Sequence, residues 1–202
     1  MSAIGVLAGA IVASGLSALD AWANLLLGVV AGFAFAGAGN ALNDFVDVDL
    51  DRVAHPNRPL PRGAIQPRAA LVVTIALFVV SVGCAGAIAW TTQRVDALLL
   101  VLSALVLMVA YEARLKFFGF SGNVAIALLT GAPFVMGGIA VGRLEPALAV
   151  FSGLAVLANL GREIVKDVED VAADTGVRRT LPMRIGIRSA ARVAQASLVC
   201  GV

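Results

Sequence analysis

Two short stretches concentrate carboxylates where the surrounding chain is apolar. The first, Asn43-Asp44-Phe45-Val46-Asp47-Val48-Asp49-Leu50-Asp51, follows a charge-free run over 21–42. At 3.6 residues per helical turn, Asn43, Asp47 and Asp51 recur at i, i+4 and i+8, and Asp44 joins Asp47 and Asp51 at i, i+3 and i+7. Four oxygen-bearing side chains thus share one face of a predicted helix end, while Asp49 points away from it. Like charges at this spacing cost a helix roughly 0.2–0.5 kcal/mol per pair, so a cation is the missing partner. A calcium-loop reading of Asp47-x-Asp49-x-Asp51 fails: Arg52 stands where glycine is needed and Arg58 where glutamate is needed.

The second stretch, Lys166-Asp167-Val168-Glu169-Asp170-Val171-Ala172-Ala173-Asp174, repeats the first. Asp44, Asp47 and Asp51 map onto Asp167, Asp170 and Asp174 at a constant offset of 123 residues, both reading D-x-x-D-x-x-x-D. The sequels correspond as well, Arg58-Pro59-Leu60-Pro61 after the first and Arg179-Thr180-Leu181-Pro182 after the second. Two facing carboxylate rows can bracket one ligand. Mg²⁺ prefers octahedral oxygen ligation and takes a few carboxylates plus substrate phosphates, so the pair suits Mg²⁺ ions gripping a diphosphate, with Arg and Lys offsetting the remaining charge. Diphosphate held this way is a good leaving group, and an allylic carbon–oxygen bond then ionises towards a carbocation.

The elements that carry these rows are read from composition. Of 202 residues, 60% are hydrophobic and 14% charged, against about 25% charged in soluble domains, which makes this a polytopic membrane protein. Seven apolar segments are predicted, at 3–19, 22–42, 69–92, 97–113, 121–141, 146–165 and from 190 to 202. They are helices, because backbone groups in lipid must bond within the segment or within a closed barrel. Four crossings separate the two acidic stretches, so both face one side. On that side lie all of the 15 basic residues except Arg94 and Arg143, and all of the 13 acids except Asp20, Asp96 and Glu145. The excess of Lys and Arg assigns it to the cytoplasm of a multi-pass cell-membrane protein.

The fold class expected is an all-α transmembrane bundle, a single domain over 1–202 that is incomplete at both ends. Glycine and alanine pairs such as Gly28-xxx-Gly32, Gly37 to Gly39, Gly83 to Gly86 and Gly137-Gly138 read as close helix contacts. Pro133 is expected to kink its helix. Cys84 and Cys200 read as packing residues on different helices, and His55, beside Pro56, as a surface or capping residue. Nothing calls for nucleic acid or an obligate protein partner. A rival class is a cation transporter, but transporter acids sit near the bilayer midplane on inverted repeats, whereas these sit at helix ends on parallel ones. A weaker third reading is a lipid-binding protein that no longer turns over.

The motifs resemble those of the UbiA-type intramembrane prenyltransferases, over nearly the whole chain from the second helix to Arg188. Asn43-Asp44-x-x-Asp47-x-x-x-Asp51 is similar to that family's first aspartate motif and Asp167-x-x-Asp170-x-x-x-Asp174 to its second. The resemblance implies catalytic Mg²⁺–diphosphate binding at these seven residues. His55-Pro56-Asn57-Arg58-Pro59-Leu60 resembles the basic loop after the first motif, implying that Arg58 orders the diphosphate or its loop. Tyr111 and Lys116 match a tyrosine and a lysine at the end of the fourth helix. Family members carry about nine helices around a central cavity open to the cytoplasm. Gly161 to Asp170 looks most like the archaeal ether-lipid branch, which transfers geranylgeranyl from its diphosphate to geranylgeranylglyceryl phosphate. Arg162 and Lys166 fit such a phosphate-bearing acceptor. Aromatic acceptors, the precursors of quinones, haem or chlorophyll, are the alternative within the same fold.

Overall fold

The structure is a computed structural model describing residues 2–171 and 179–202, and every regular element among them is helical. Helix α1 (Ser2–Ser14) turns through a 3₁₀ segment, Gly15–Ala21, into α2 (Trp22–Val46). A short α3 (Val48–Ala54) and a loop lead to α4 (Pro67–Thr92), and α5 (Asp96–Ala113) returns. A 3₁₀ turn, Leu115–Phe118, precedes α6 (Phe120–Ala140), followed by α7 (Pro146–Glu169). After 172–178 come α8 (Leu181–Ile185) and α9 (Ile187–Cys200).

Five helical stretches among the described residues are long and apolar enough to cross a membrane: Ser2–Val46, Pro67–Thr92, Asp96–Ala113, Phe120–Ala140 and Pro146–Glu169. The last four rise about 27–39 Å at 1.5 Å per residue, which matches a ~30 Å hydrocarbon layer. The first is two helices folded back at Gly15, where φ is +60°; α1 then lies antiparallel to α2, with Gly28 near Val6 and Gly32 near Ser2. The 13-residue α1 and the 14-residue α9 each reach only about 20 Å. The five candidate spans take in six of the seven apolar segments expected, since Ser2–Val46 holds the first two; the seventh, from 190, lies in α9, and α3 and α8 are short helices that hydropathy did not announce.

Large apolar side chains point outward: Phe33, Val72, Trp90 and Val106 are all well exposed. The interior is built from small residues, among them Ala10, Ala31, Ala38, Ala85 and Ala97. This is the pattern of helices that meet lipid outside and approach each other closely inside. The approach is tightest between α1 and α6, where a Cβ on Gly9 would fall on the Phe134 carbonyl and one on Gly137 on the Val6 carbonyl. Gly83 and Gly86 do not behave this way. Their missing side chains would meet open space, so these two small residues face outward from α4 rather than into a helix contact. Cys200 is likewise exposed rather than packed. Helix α6 runs through Pro133, which rests against Gly5.

The internal repeat is visible in the backbone. Helix α2 ends at Asp47 (φ −91°, ψ 7°) and α7 at Asp170 (φ −91°, ψ 5°), the two middle aspartates of the matched motifs. Each donates its N–H to the carbonyl four residues back, at 2.9 Å in both cases. The next long helix packs against its predecessor in both units, α4 on α2 and α9 on α7. Ala70 and Thr74 are buried at the start of α4, as Ala190 and Ala194 are at the start of α9.

Candidate active site

A cavity of about 760 Å³ opens between the two acid-bearing helix ends. One wall carries Asn43, Asp47, Asp49, Asp51, His55 and Arg58; the other carries Glu163, Lys166, Asp167 and Asp170; Tyr111, Lys116, Gly119, Gly122, Asn123 and Thr180 line the cavity too. The helix break at Asp47 shapes the first wall. Asp44, three residues before Asp47 at the end of the same helix, is exposed outside the cavity lining, 3.9 Å from Arg58 Nη1. Asp49, expected to point away, lies at the rim and is bound to Arg52 at 2.6 Å. His55 caps the end of α3 and borders the same cavity. Arg162 lies outside it, highly exposed and paired with Glu163 at 2.6 Å. Asp174 lies outside the described residues.

The charges inside are paired in specific ways. Lys116 is almost wholly buried, and its Nζ donates to Asp47 Oδ1 at 2.6 Å and to Glu112 Oε2 at 2.7 Å. One cation thus serves two carboxylates in a dry corner, where the attraction is far stronger than in water. Asp51 is also buried and accepts from Arg58 Nη1 at 2.6 Å. On the second wall Asp167 Oδ2 accepts from the neutral amide of Asn123 at 2.7 Å. The turn that delivers Lys116 is fixed from outside: Gly119 has φ +64°, and a Cβ there would strike the Arg179 carbonyl.

Sequence reasoning passed over Asn123, Glu112, Glu163 and Thr180. Asn123 carried a usable signal, since a carboxamide inside an apolar helix is costly without a partner. Glu112 and Glu163 were visible only as members of the acidic side.

The donor chemistry of the two walls bears on Mg²⁺. Among the described residues no three His, Cys, Asp or Glu side chains converge on one point. The acids available are one or two carboxylates from each of two walls, with the Asn43 amide oxygen beside them. Such a set fits Mg²⁺, which is commonly held by one or two carboxylates and completed by water and substrate phosphate.

A small apolar cavity of about 60 Å³ lies deeper, bordered by Phe35, Ser81, Pro133 and Met136. It is well short of the ~300 Å³ of a typical ligand pocket, so no prenyl chain is assigned to it.

Apolar helices of membrane-crossing length, two of them ending in acid-bearing segments around one polar cavity, define a class of multi-pass helical membrane protein. The chain belongs to the UbiA prenyltransferase family, which matches residues 2–202. It is 43% identical over 195 residues to a digeranylgeranylglyceryl phosphate synthase of Natronomonas pharaonis, covering 96% of this chain and 68% of that protein. The same-named protein of Pyrococcus abyssi is 38% identical, with 94% and 66% covered. The chain thus spans about two thirds of the length of these relatives. A solved structure described as a digeranylgeranylglyceryl phosphate synthase superposes with a TM-score of 0.81 at 28% identity, covering 99% of this chain and 69% of the other. A UbiA homologue from Archaeoglobus fulgidus, bound to DMAPP and Mg²⁺, shares the fold with a TM-score of 0.72 at 21% identity, covering 99% and 71%.

Proposed function

We propose that this cavity serves Mg²⁺-dependent transfer of a geranylgeranyl group from its diphosphate to the free hydroxyl of geranylgeranylglyceryl phosphate. The observation that carries this reading is the pair of acid rows, Asn43, Asp47 and Asp51 opposite Asp167 and Asp170, borne on helix ends of matching geometry around one cavity. The names of the relatives support the choice of acceptor, and the DMAPP and Mg²⁺ of the Archaeoglobus homologue support the donor chemistry.

Asn43, Asp47, Asp51, Asp167 and Asp170 would hold the metal, with Asp44 and Asp174 as further members of the motifs. Mg²⁺ supplies neutralisation of the charge that builds on the departing diphosphate. Lys166, on the cavity wall, offers a cation to phosphate oxygens, and Arg58 stands ready beside Asp51. Tyr111 borders the cavity at the end of α5, where its ring can face the electron-poor allylic carbon. The allylic C–O bond breaks and its electron pair leaves with diphosphate. The acceptor hydroxyl oxygen forms the new C–O bond, and its proton passes to the diphosphate or to water. The acid-bearing end faces the cytoplasm in this reading, because nearly all Lys and Arg gather there.

The test is transfer of labelled geranylgeranyl diphosphate by the Asp47→Ala and Asp170→Ala variants. Activity retained in both sinks the mechanism. Product masses from a panel of lipid and aromatic acceptors decide the acceptor: an aromatic product formed in preference to the glyceryl ether overturns that part alone.

A further inference from the structure

The polar cavity and the deeper hollow of about 60 Å³ are stacked along the same helix faces. On α2, Phe35 borders the hollow and Asn43 the cavity, and Gly39 stands four residues from each. On α5, Ala104 borders the hollow and Tyr111 the cavity, with Met108 four residues after the one and three before the other. Steps of three and four residues keep to one helical face. Gly39 and Met108 therefore occupy the layer between the two spaces. From Asn43 back to Gly32, which also borders the hollow, α2 covers about 17 Å at 1.5 Å per residue.

One flexible side chain closes that layer against α2. Met108 Cε stands where a Cβ on Gly39 would be. Among the described residues, and leaving aside the nearby backbone of α2 itself, only Met108 Cε and Sδ come within 4 Å of that point. The hollows at Gly28 and Gly32 on the same helix are filled differently, both by Val6 of α1, whose branched side chain is stiff at χ1. Methionine is unbranched and turns about three bonds, so it adapts to what lies beside it. Withdrawal of Met108 from Gly39 opens a groove over bare α2 backbone, running from the cavity towards the hollow. The hollow suits an apolar guest. Phe35, Leu100, Val101, Leu129 and Met136 border it, and the Ser81 hydroxyl on its wall already donates to the Ala31 carbonyl at 3.0 Å. As the helices stand, the hollow is too small for a prenyl tail; joined to the cavity, it becomes the far end of one long slot.

We propose that Met108 sets the prenyl chain length this protein accepts: it yields its seat on Gly39 to the distal isoprene units of a long donor, whose tail then reaches the deep hollow while the diphosphate stays between the acid rows. Met108 is thereby a specificity residue that touches the substrate. The inference rests on the prenyl-transfer reading of the cavity. A short donor, whose tail ends before Met108, is its internal control.

The experiment uses the full chain in detergent with Mg²⁺. Dimethylallyl diphosphate and geranylgeranyl diphosphate are titrated by calorimetry, and the ratio of the two affinities is the readout, because a general weakening of the protein cancels from it. Met108→Trp, which fills the slot, is expected to lower the preference for geranylgeranyl about tenfold or more, since the distal apolar carbons are left unburied. Met108→Leu, close in volume, should stay within about threefold of wild type. Met108→Ala, which empties the seat on Gly39, should raise the preference about threefold or more. The alanine variant decides the matter by itself if the tryptophan variant does not fold. A wild-type ratio in the variants that fold overturns the inference alone. So does an equal loss of affinity for both donors, which makes Met108 a packing residue. A wild-type protein that binds neither donor overturns the inference together with the prenyl-transfer reading.

Discussion

The α2–α4 and α7–α9 units share a backbone plan and differ in how their acids are balanced. Both long helices stop at the middle aspartate with nearly the same φ and ψ. In the first unit that aspartate is drawn inward against buried Lys116, and Asp51 behind it is held by Arg58. In the second unit Asp170 stays exposed, and Asp167 is oriented by an uncharged amide. Repetition of the chain trace thus left the electrostatics free to diverge. Among the described residues, the first row is paired directly with buried Lys116 and with Arg58, whereas the second wall carries its cation, Lys166, on the same helix as its acids.

The largest effect should come from removing either middle aspartate. Asp47→Ala and Asp170→Ala are each expected to lower prenyl transfer by roughly 10²–10³-fold, the usual loss for one group aimed at developing charge. Rates that fall in only one variant would break the equivalence of the two rows.

Next in size is the buried cation. Lys116→Met leaves Asp47 and Glu112 facing each other in a dry corner, at an expected loss of about 3–5 kcal/mol in stability by denaturation. Adding Glu112→Gln should return a substantial part of that loss. An unchanged unfolding midpoint for the single variant contradicts the charge asymmetry described above.

Asn123→Leu probes the other wall. Mg²⁺ affinity should drop about 10–100-fold, as for loss of a group that orients a metal ligand, and stability should change by only about 1 kcal/mol. A large stability loss with full Mg²⁺ affinity would instead make Asn123 part of the helix packing.

The smallest effects concern exposed charges. Arg162→Ala removes an exposed pair with Glu163 and is expected to cost at most about 1 kcal/mol, with little change in transfer. Lys166→Ala, on the cavity wall, should weaken diphosphate binding measurably, and Arg143→Ala, on the opposite side, should not. Equal effects of the last two would contradict the sidedness of the molecule.

Several levels of this protein were legible in the residue order. Hydropathy located the long helices to within a few residues, because a segment that must bury its backbone in lipid needs a continuous apolar run. The offset of 123 residues between the motifs announced the repeat, and the helix ends at Asp47 and Asp170 carry it in three dimensions. Local spacing also brought Asn43, Asp47, Asp51, Asp167 and Asp170 into the candidate set, and all five line the cavity.

What the residue order left undecided depends on contacts between distant segments. Periodicity placed Asp44 on the shared face, but which part of that face borders the cavity is set by the helices packed against it, and Asp44 lies exposed outside the lining. Lys116 meets Asp47 across 69 residues of sequence, and Asn123 meets Asp167 across 44; both pairings exist because α5 and α6 pack between the two repeated units. The spacing of acids is a local property of one helix end, whereas the partner of each acid is set by which helix the bundle brings against it.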